Sequence, residues 1–311
     1  MRVAFVDSTG SSSLKDLIFP RFSPKVCIFN FLYLRARLIF KDVEHLQDWM
    51  SKEPHMPKID DKEWIITFLH HNKYSLEKTK KKLENYYAYR NKYPEVLKNR
   101  DPLGEYFFFI FCQNDLLSIV LSKTVNVFNF SFNPDTTGFD IWEHMKYGFM
   151  IIDTFYLEHD RHQYCMSITD CRNLTYAFFL KALPGIKTGI DIFFTAYSDR
   201  LKAFHIINAP AGVEKVLNGF KSFLPAKIAD RFFVHSSPKE FLFILILLVF
   251  PSFHVSSLIL YIIYNFSEYT ANLLKKHRQW YLDQDDVTTN EDLRQKNTKS
   301  NRGTEGIFQK T

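Results

Sequence analysis

Residues Thr195 to Ser237 read TAYSDRLKAFHIINAPAGVEKVLNGFKSFLPAKIADRFFVHSS. Within them FHIIN, Phe204 to Asn208, is a short apolar run that stops at Asn-Ala-Pro, as a strand ended by a turn does. After Pro210, Val213, Val216, Leu217, Phe220, Phe223 and Leu224 recur at helical spacing on one stripe, with Glu214, Lys215, Asn218, Lys221 and Ser222 opposite, which predicts an amphipathic surface helix. Upstream, YCMSITD (Tyr164 to Asp170) reads as another strand, and Thr188 to Tyr197 as a helical stretch between the two. Strand, helix, strand with short connections implies a right-handed crossover and a parallel sheet, so the fold class is α/β.

Outward from this unit, Gly138 to Leu157 predicts an amphipathic helix and VNVFNFSF (Val125 to Phe132) a further strand. Asp60 to Val96 predicts two helices, the second opened by Ser75 as N-cap with Glu77 in its first turn and closed at Pro94. Leu76, Leu83, Tyr86 and Tyr87 share a face of it, while Lys78, Lys80, Lys81 and Lys82 are expected in solvent. The expected organisation is an unassigned segment 1–40, a helical module 41–102, the main domain 103–237, an apolar segment 238–270, and a C-terminal helix with a mostly disordered tail over 271–311. The tail expectation rests on Asp283 to Thr311, which mixes charges with Thr, Asn and Gly and has little apolar periodicity.

The apolar segment contains FLFILILLVFPSFHVSSLILYIIYNF, Phe241 to Phe266, without an acid, Lys or Arg. Its length permits a membrane span of ~30 Å. Pro251, Ser252, His254, Ser256 and Ser257 interrupt its middle, where polar groups are most costly in lipid. Membrane anchoring, a buried core element and a foreign insertion are therefore all open readings. With 311 residues, 46% of them hydrophobic and 32 Phe, the chain can bury a sizeable core. A net charge of +6 suits an acidic membrane surface and is weak support for nucleic acid, which is not an expected partner. Cys27, Cys112, Cys165 and Cys171 have neither paired CxxC spacing nor a disulfide-dense pattern, and read as reduced thiols in a cytoplasmic protein. The first residues lack a signal-peptide pattern.

No glycine-rich phosphate loop, zinc spacing or nucleophile elbow is present, so neither metal nor cofactor is expected. Asp153, Glu158, His159, Asp160, Arg161 and His162 form the densest titratable run, and such a run between helix and strand reads as a solvated loop rather than a catalytic group. Asp170, at a strand end, is expected to cap the following turn. An enzyme is thus not expected. By themselves the apolar stripes read as core packing.

The Asp60 to Val96 helices together with Thr195 to Ser237 resemble the CRAL-TRIO family in order and spacing, most closely its animal branch of tocopherol and retinaldehyde carriers, and Trp280 to Lys310 resembles the end of its insect members. The resemblance implies a helical N-terminal module, then a mostly parallel sheet and flanking helices around an apolar cage closed by a gate helix, here Val213 to Leu224. The cage residues it implies are Phe149, Ile152, Met166, Ile168, Phe178, Phe179, Leu183, Ile186, Ile190, Phe193, Phe194, Phe204, Ile206, Val213, Val216, Leu217, Phe220 and Phe223. The guest would be a retinoid or tocopherol-like lipid. Arg200, Lys202, Lys221, Lys227 and Arg231 match positions that bind phosphoinositide head groups in the family, while His70 and Ala229 replace further basic residues. Phosphates favour Arg forks and Lys point charges, and each such residue near an anionic leaflet contributes about 1 kcal/mol. The implied role is intracellular transfer of a hydrophobic lipid, with peripheral docking on phosphoinositide-bearing membranes. After Ser237 the chain departs from the family pattern, reading PKEF and then the apolar run. That departure implies the rival role of a membrane-anchored scaffold carrying a degenerate, ligand-free domain.

Overall fold

The computed structural model describes residues 24–105, 117–122, 125–131, 139–158, 164–171, 175–209, 212–221, 224–235 and 269–294. The apolar run of Phe241 to Phe266, residues 295–311, Cys112 and the loop residues His159 to His162 lie outside them. The chain divides into two compact units, Met1–Glu44 and His45–Thr311. The described part of the first is helical, the start of α1 (Pro24–Lys52).

In the second unit, α2 (Lys62–His71) begins where the Asp61 carboxylate accepts a hydrogen bond from the Trp64 amide at 3.1 Å, a side-chain cap that satisfies one of the orphan amides of the first turn. α3 (Leu76–Lys92) starts after Ser75 as expected, but the Ser75 hydroxyl makes no cap bond. Instead the Thr79 hydroxyl turns back to the Ser75 carbonyl at 2.9 Å. α4 (Pro94–Leu97) places Pro94 in its first turn, where a missing N–H is harmless. Trp64 and Phe68 of α2 each pack edge-on against Tyr86 of α3, with ring centroids 5.5 Å apart. This aromatic packing is the core of the helical module.

Among the described residues the sheet has five strands in the order β1-β2-β3-β4-β5. β1 (Leu117–Ser122) is antiparallel to β2 (Val125–Ser131), and β2, β3 (Tyr164–Asp170), β4 (Leu201–Ile207) and β5 (Phe232–His235) are mutually parallel. The crossovers are α5 (Ile141–Leu157), α6 (Tyr176–Thr195) and the pair α7 (Val213–Lys221) with α8 (Ala226–Ala229). The mostly parallel α/β architecture read from the sequence is therefore the one observed.

α6 is longer than the stretch Thr188 to Tyr197 suggested. It starts at Tyr176, capped by the Thr175 hydroxyl accepting from the Phe178 amide at 3.1 Å, and runs through Pro184 and Gly185, residues of poor helix propensity. Tertiary packing overrides propensity here, because α6 lies so close to α5 that a Cβ at either of two glycines would press on an α5 side chain. A Cβ on Gly185 would stand 2.5 Å from Ile141 Cγ1, and one on Gly189 2.7 Å from Met145 Sδ.

A buried polar web ties the module to the sheet domain. Asp153, expected in a solvated loop, is fully buried on α5 and pairs with Arg100 at 2.5 Å. The Tyr86 and Tyr197 hydroxyls donate to its other oxygen at 2.9 and 3.0 Å. Its position inside the helix explains the difference: a carboxylate in the interior must be paired, and three partners, Arg100, Tyr86 and Tyr197, meet it. Lys82, expected in solvent, turns inward and donates to the carbonyls of Phe194 and Tyr197 at 2.7 and 2.5 Å, while Asn85 donates to Thr195 O. Together they satisfy the open carbonyls at the C-terminus of α6. Burial lowers the Lys82 pKa to about 8.

Between Asp283 and Arg294 the tail is held in place by the helical module. After α9 (Arg278–Asp283), Arg90 donates to Gln284 O, Gln284 Oε1 and Val287 O, Asn91 to Thr289 O, and Arg294 pairs with Glu84. Side chains of the module supply the hydrogen bonds that this polar segment cannot make with itself, a support invisible to composition.

Candidate functional site

β3 and β4 form the floor of a cavity of about 190 Å³. Because strand residues alternate, Cys165, Ser167 and Thr169 of β3 look into it together. Their register partners on β4 are Leu201, Phe204 and Ile206, and these line it as well. Leu201 shares a face with Phe204, three residues on, because the register shifts between Cys165 and Met166 and leaves Lys202 as an extra residue. α5 supplies one wall through Ile141, His144, Met145, Gly148, Phe149 and Ile152, an i, i+3, i+4 stripe. α6 supplies the other through Phe178, Ala182, Leu183, Ile186, Gly189, Ile190, Phe193 and Phe194. Phe232 of β5, its ring stacked on Phe204 at 4.9 Å, and Leu217 of α7 complete the lining. One water needs ~10–15 Å³ of such space, so the cavity has room for roughly a dozen heavy atoms or more.

Most of the expected cage residues are thus brought together: Phe149, Ile152, Phe178, Leu183, Ile186, Ile190, Phe193, Phe194, Phe204, Ile206 and Leu217 all border one space. Met166 and Ile168 do not. They are buried on the opposite face of β3, where Met166 pairs in register with Ala203 and Ile168 with His205. Val213 is fully buried in a cluster with Cys171, Ile206 and Leu217, against which Val216 also packs, so these two valines seat α7 on the sheet rather than face the cavity. The side chains of Phe179 and Phe220, and the whole of Phe223, lie outside the described residues. Reasoning from large apolar residues missed the small and polar members of the lining: Gly148, Gly189, Cys165, Ser167, Thr169, Cys171 and His144. The signal that was available is the spacing of Ile141, Met145, Gly148 and Ile152 on one helical stripe.

No charged side chain lines the cavity among the described residues. His144 is fully buried, and desolvation lowers its pKa to about 4, so it is neutral near pH 7. Cys165 and Cys171 are buried thiols, and burial raises the Cys165 pKa well above its ordinary value.

The basic residues lie near α7, β4 and β5 and are in part committed to the backbone. Arg200 donates to His70 O and His71 O, capping α2, with its shortest bond at 2.8 Å. Arg231 donates to Leu201 O at 2.7 Å, and Lys221 to Phe232 O at 2.6 Å, which ties the end of α7 to the start of β5. Lys202 and Lys227 are exposed, with the Lys202 ammonium 6.0 Å from the Tyr164 ring centroid. No helix among the described residues is long and apolar enough to cross a membrane, and no group of His, Cys, Asp or Glu among them is placed to hold a metal ion.

Comparison with known proteins matches residues 118–244 to the CRAL/TRIO domain and residues 36–107 to the Pinta-like UBA domain. The chain is thus similar to CRAL-TRIO proteins over residues 118–244. It is 25% identical over 209 residues to an "Alpha-tocopherol transfer protein-like" protein of Mus musculus, covering 63% of this chain and 59% of that one. The Homo sapiens protein of the same name is 25% identical over 212 residues, with the same coverage. The chain therefore spans about three fifths of the length of these relatives, 59%. Among solved structures, one titled "Crystal structure of Sfh5" aligns with a TM-score of 0.45 and 11% identity over 64% of this chain and 79% of that one.

Proposed function

We propose that this protein encloses one hydrophobic small molecule, of retinoid or tocopherol-like kind, and exchanges it at phosphoinositide-bearing membranes facing the cytosol. The observation that carries the reading is the cavity itself: about 190 Å³ bounded by the sheet, α5, α6 and α7, with an almost wholly apolar lining. Burying a methylene gains ~0.8 kcal/mol, so a space of this character favours an oily guest and disfavours its release into water. Release then needs an apolar acceptor and movement of a wall. α7 is the wall best suited to move, because it is short, rests on the sheet through Val213 and Leu217, and is tied at its end by Lys221. The names of the curated relatives point the same way. Such a role needs no covalent step.

The cavity assignment is tested by Phe194→Asp, which puts a carboxylate into an almost wholly apolar lining. Loss of lipid that copurifies with the folded protein is expected, and undiminished lipid would refute the assignment. Docking is tested by Lys221→Ala combined with Lys227→Ala. Weaker binding to phosphoinositide vesicles and slower transfer are expected, and no change in either would remove the docking role. The rival reading, a scaffold held in a bilayer by Phe241 to Phe266, is favoured only by that run of sequence. Alkaline carbonate extraction separates the two, since an integral protein stays in the pellet.

A further inference from the structure

Ser167 is the exception in the cavity floor. It sits in the middle of β3, in register with Phe204 of β4, is only 5% exposed, and borders the cavity. Its Oγ finds no hydrogen-bond partner among the described residues. A buried hydroxyl with nothing to bond is costly, and native proteins rarely retain one unless a water or ligand completes it. The other polar groups around the same space are the imidazole of His144, neutral near pH 7, the thiol of Cys165, held protonated by burial, the Cys171 thiol and the Thr169 hydroxyl. A carboxylate, phosphate or ammonium drawn into this chamber would lose its hydration with no opposite charge to meet it, whereas an alcohol or carbonyl would need a single partner.

We propose that Ser167 is a ligand-recognition residue, and that the guest is an uncharged lipid bearing one hydroxyl or carbonyl group that hydrogen-bonds to the Ser167 hydroxyl. This rests on the carrier reading above and narrows it: fatty acids and phospholipid head groups are excluded from the chamber, while isoprenoid alcohols, aldehydes and related neutral lipids fit it. The selectivity arises because a site built around a buried hydrogen-bonding group penalises a guest that leaves it unpaired.

The test uses the full chain and three probes with one carbon skeleton: phytol, its hydrocarbon phytane, and phytanic acid as the carboxylate at pH 7.5. Uptake from donor vesicles is measured for each. The wild-type chain is expected to bind phytol at least about tenfold more tightly than phytane and to reject phytanate. Ser167→Ala is expected to lower phytol affinity about tenfold and leave phytane binding unchanged, while Ser167→Thr, which keeps the hydroxyl, restores the preference for the alcohol. An unchanged phytol-to-phytane ratio in Ser167→Ala, or phytanate bound as tightly as phytol, would overturn the assignment of Ser167. Failure to take up any of the three is a different result and would overturn the carrier reading itself.

Discussion

Asp153 is the residue on which most of the buried polar structure converges. Arg100 pairs with it inside the protein, both side chains fully buried, and the Arg100 guanidinium also stands 5.5 Å from the Tyr281 ring centroid. Such a pair contributes little compared with a well-packed apolar replacement, but removing one member leaves an uncompensated charge. Asp153→Ala is therefore expected to destabilise the protein by about 3–5 kcal/mol in urea unfolding, and a loss below about 1 kcal/mol would contradict the network. His144 gives a second expectation, with its sign fixed by linkage. Its pKa is lowered by burial from 6.5 to about 4, so as pH falls the unfolded chain takes up the proton first. Stability held above pH ~6.5 is lost progressively toward pH ~4, by roughly 3 kcal/mol in all. Comparing urea midpoints at pH 7 and pH 5 should show a smaller drop for His144→Leu than for the wild type. An equal drop would mean that other groups carry the pH dependence.

Among the elements, the contact between α5 and α6 shapes the cavity walls, and two glycines set its closeness. Gly185→Ala would drive a methyl into the branched Ile141 side chain, and Gly189→Ala into the end of Met145, which is unbranched and can swing aside. Thermal unfolding should show the first to be the more damaging, at about 1–3 kcal/mol, and the second milder; the reverse order would refute the close approach. Gly219 on α7 differs, since an added Cβ meets nothing within 4 Å. Gly219→Ala is expected to stabilise by up to ~1 kcal/mol through helix propensity alone. These elements also show what was legible in advance. YCMSITD marked β3 to its ends, and the spacing of Val213 and Leu217 gave the face of α7 that meets the sheet. What misled was the face of β3. Met166 and Ile168 are the more apolar alternate set, yet Cys165, Ser167 and Thr169 border the cavity. Both faces of the strand are buried, as in parallel sheets covered on both sides, so hydrophobicity does not say which side holds the void. Contacts with no local signature were equally hidden: Lys82 reaching the end of α6 and Arg90 holding Gln284 join positions far apart in the chain.

At the scale of the whole molecule, the segment Arg278 to Arg294 belts the helical module to the sheet domain. Tyr281 donates to Met150 O at 2.6 Å within α5, Arg278 pairs with Asp101, and Asp285 accepts from the Asn99 amide. Truncation after Asp283 would leave the fully buried Arg90 without its Gln284 and Val287 acceptors. A loss of at least ~1–3 kcal/mol and a lower Tm are expected, although the cavity residues are untouched. An unchanged Tm would show the belt to be dispensable. The same organisation leaves the chamber as the feature that packing did not fill, and native mass spectrometry of the purified full chain incubated with retinol or tocopherol tests that most directly. One lipid per chain, lost in Phe194→Asp, is the predicted result. Only the bare chain mass, whether purified from cells or incubated with either lipid, would contradict it.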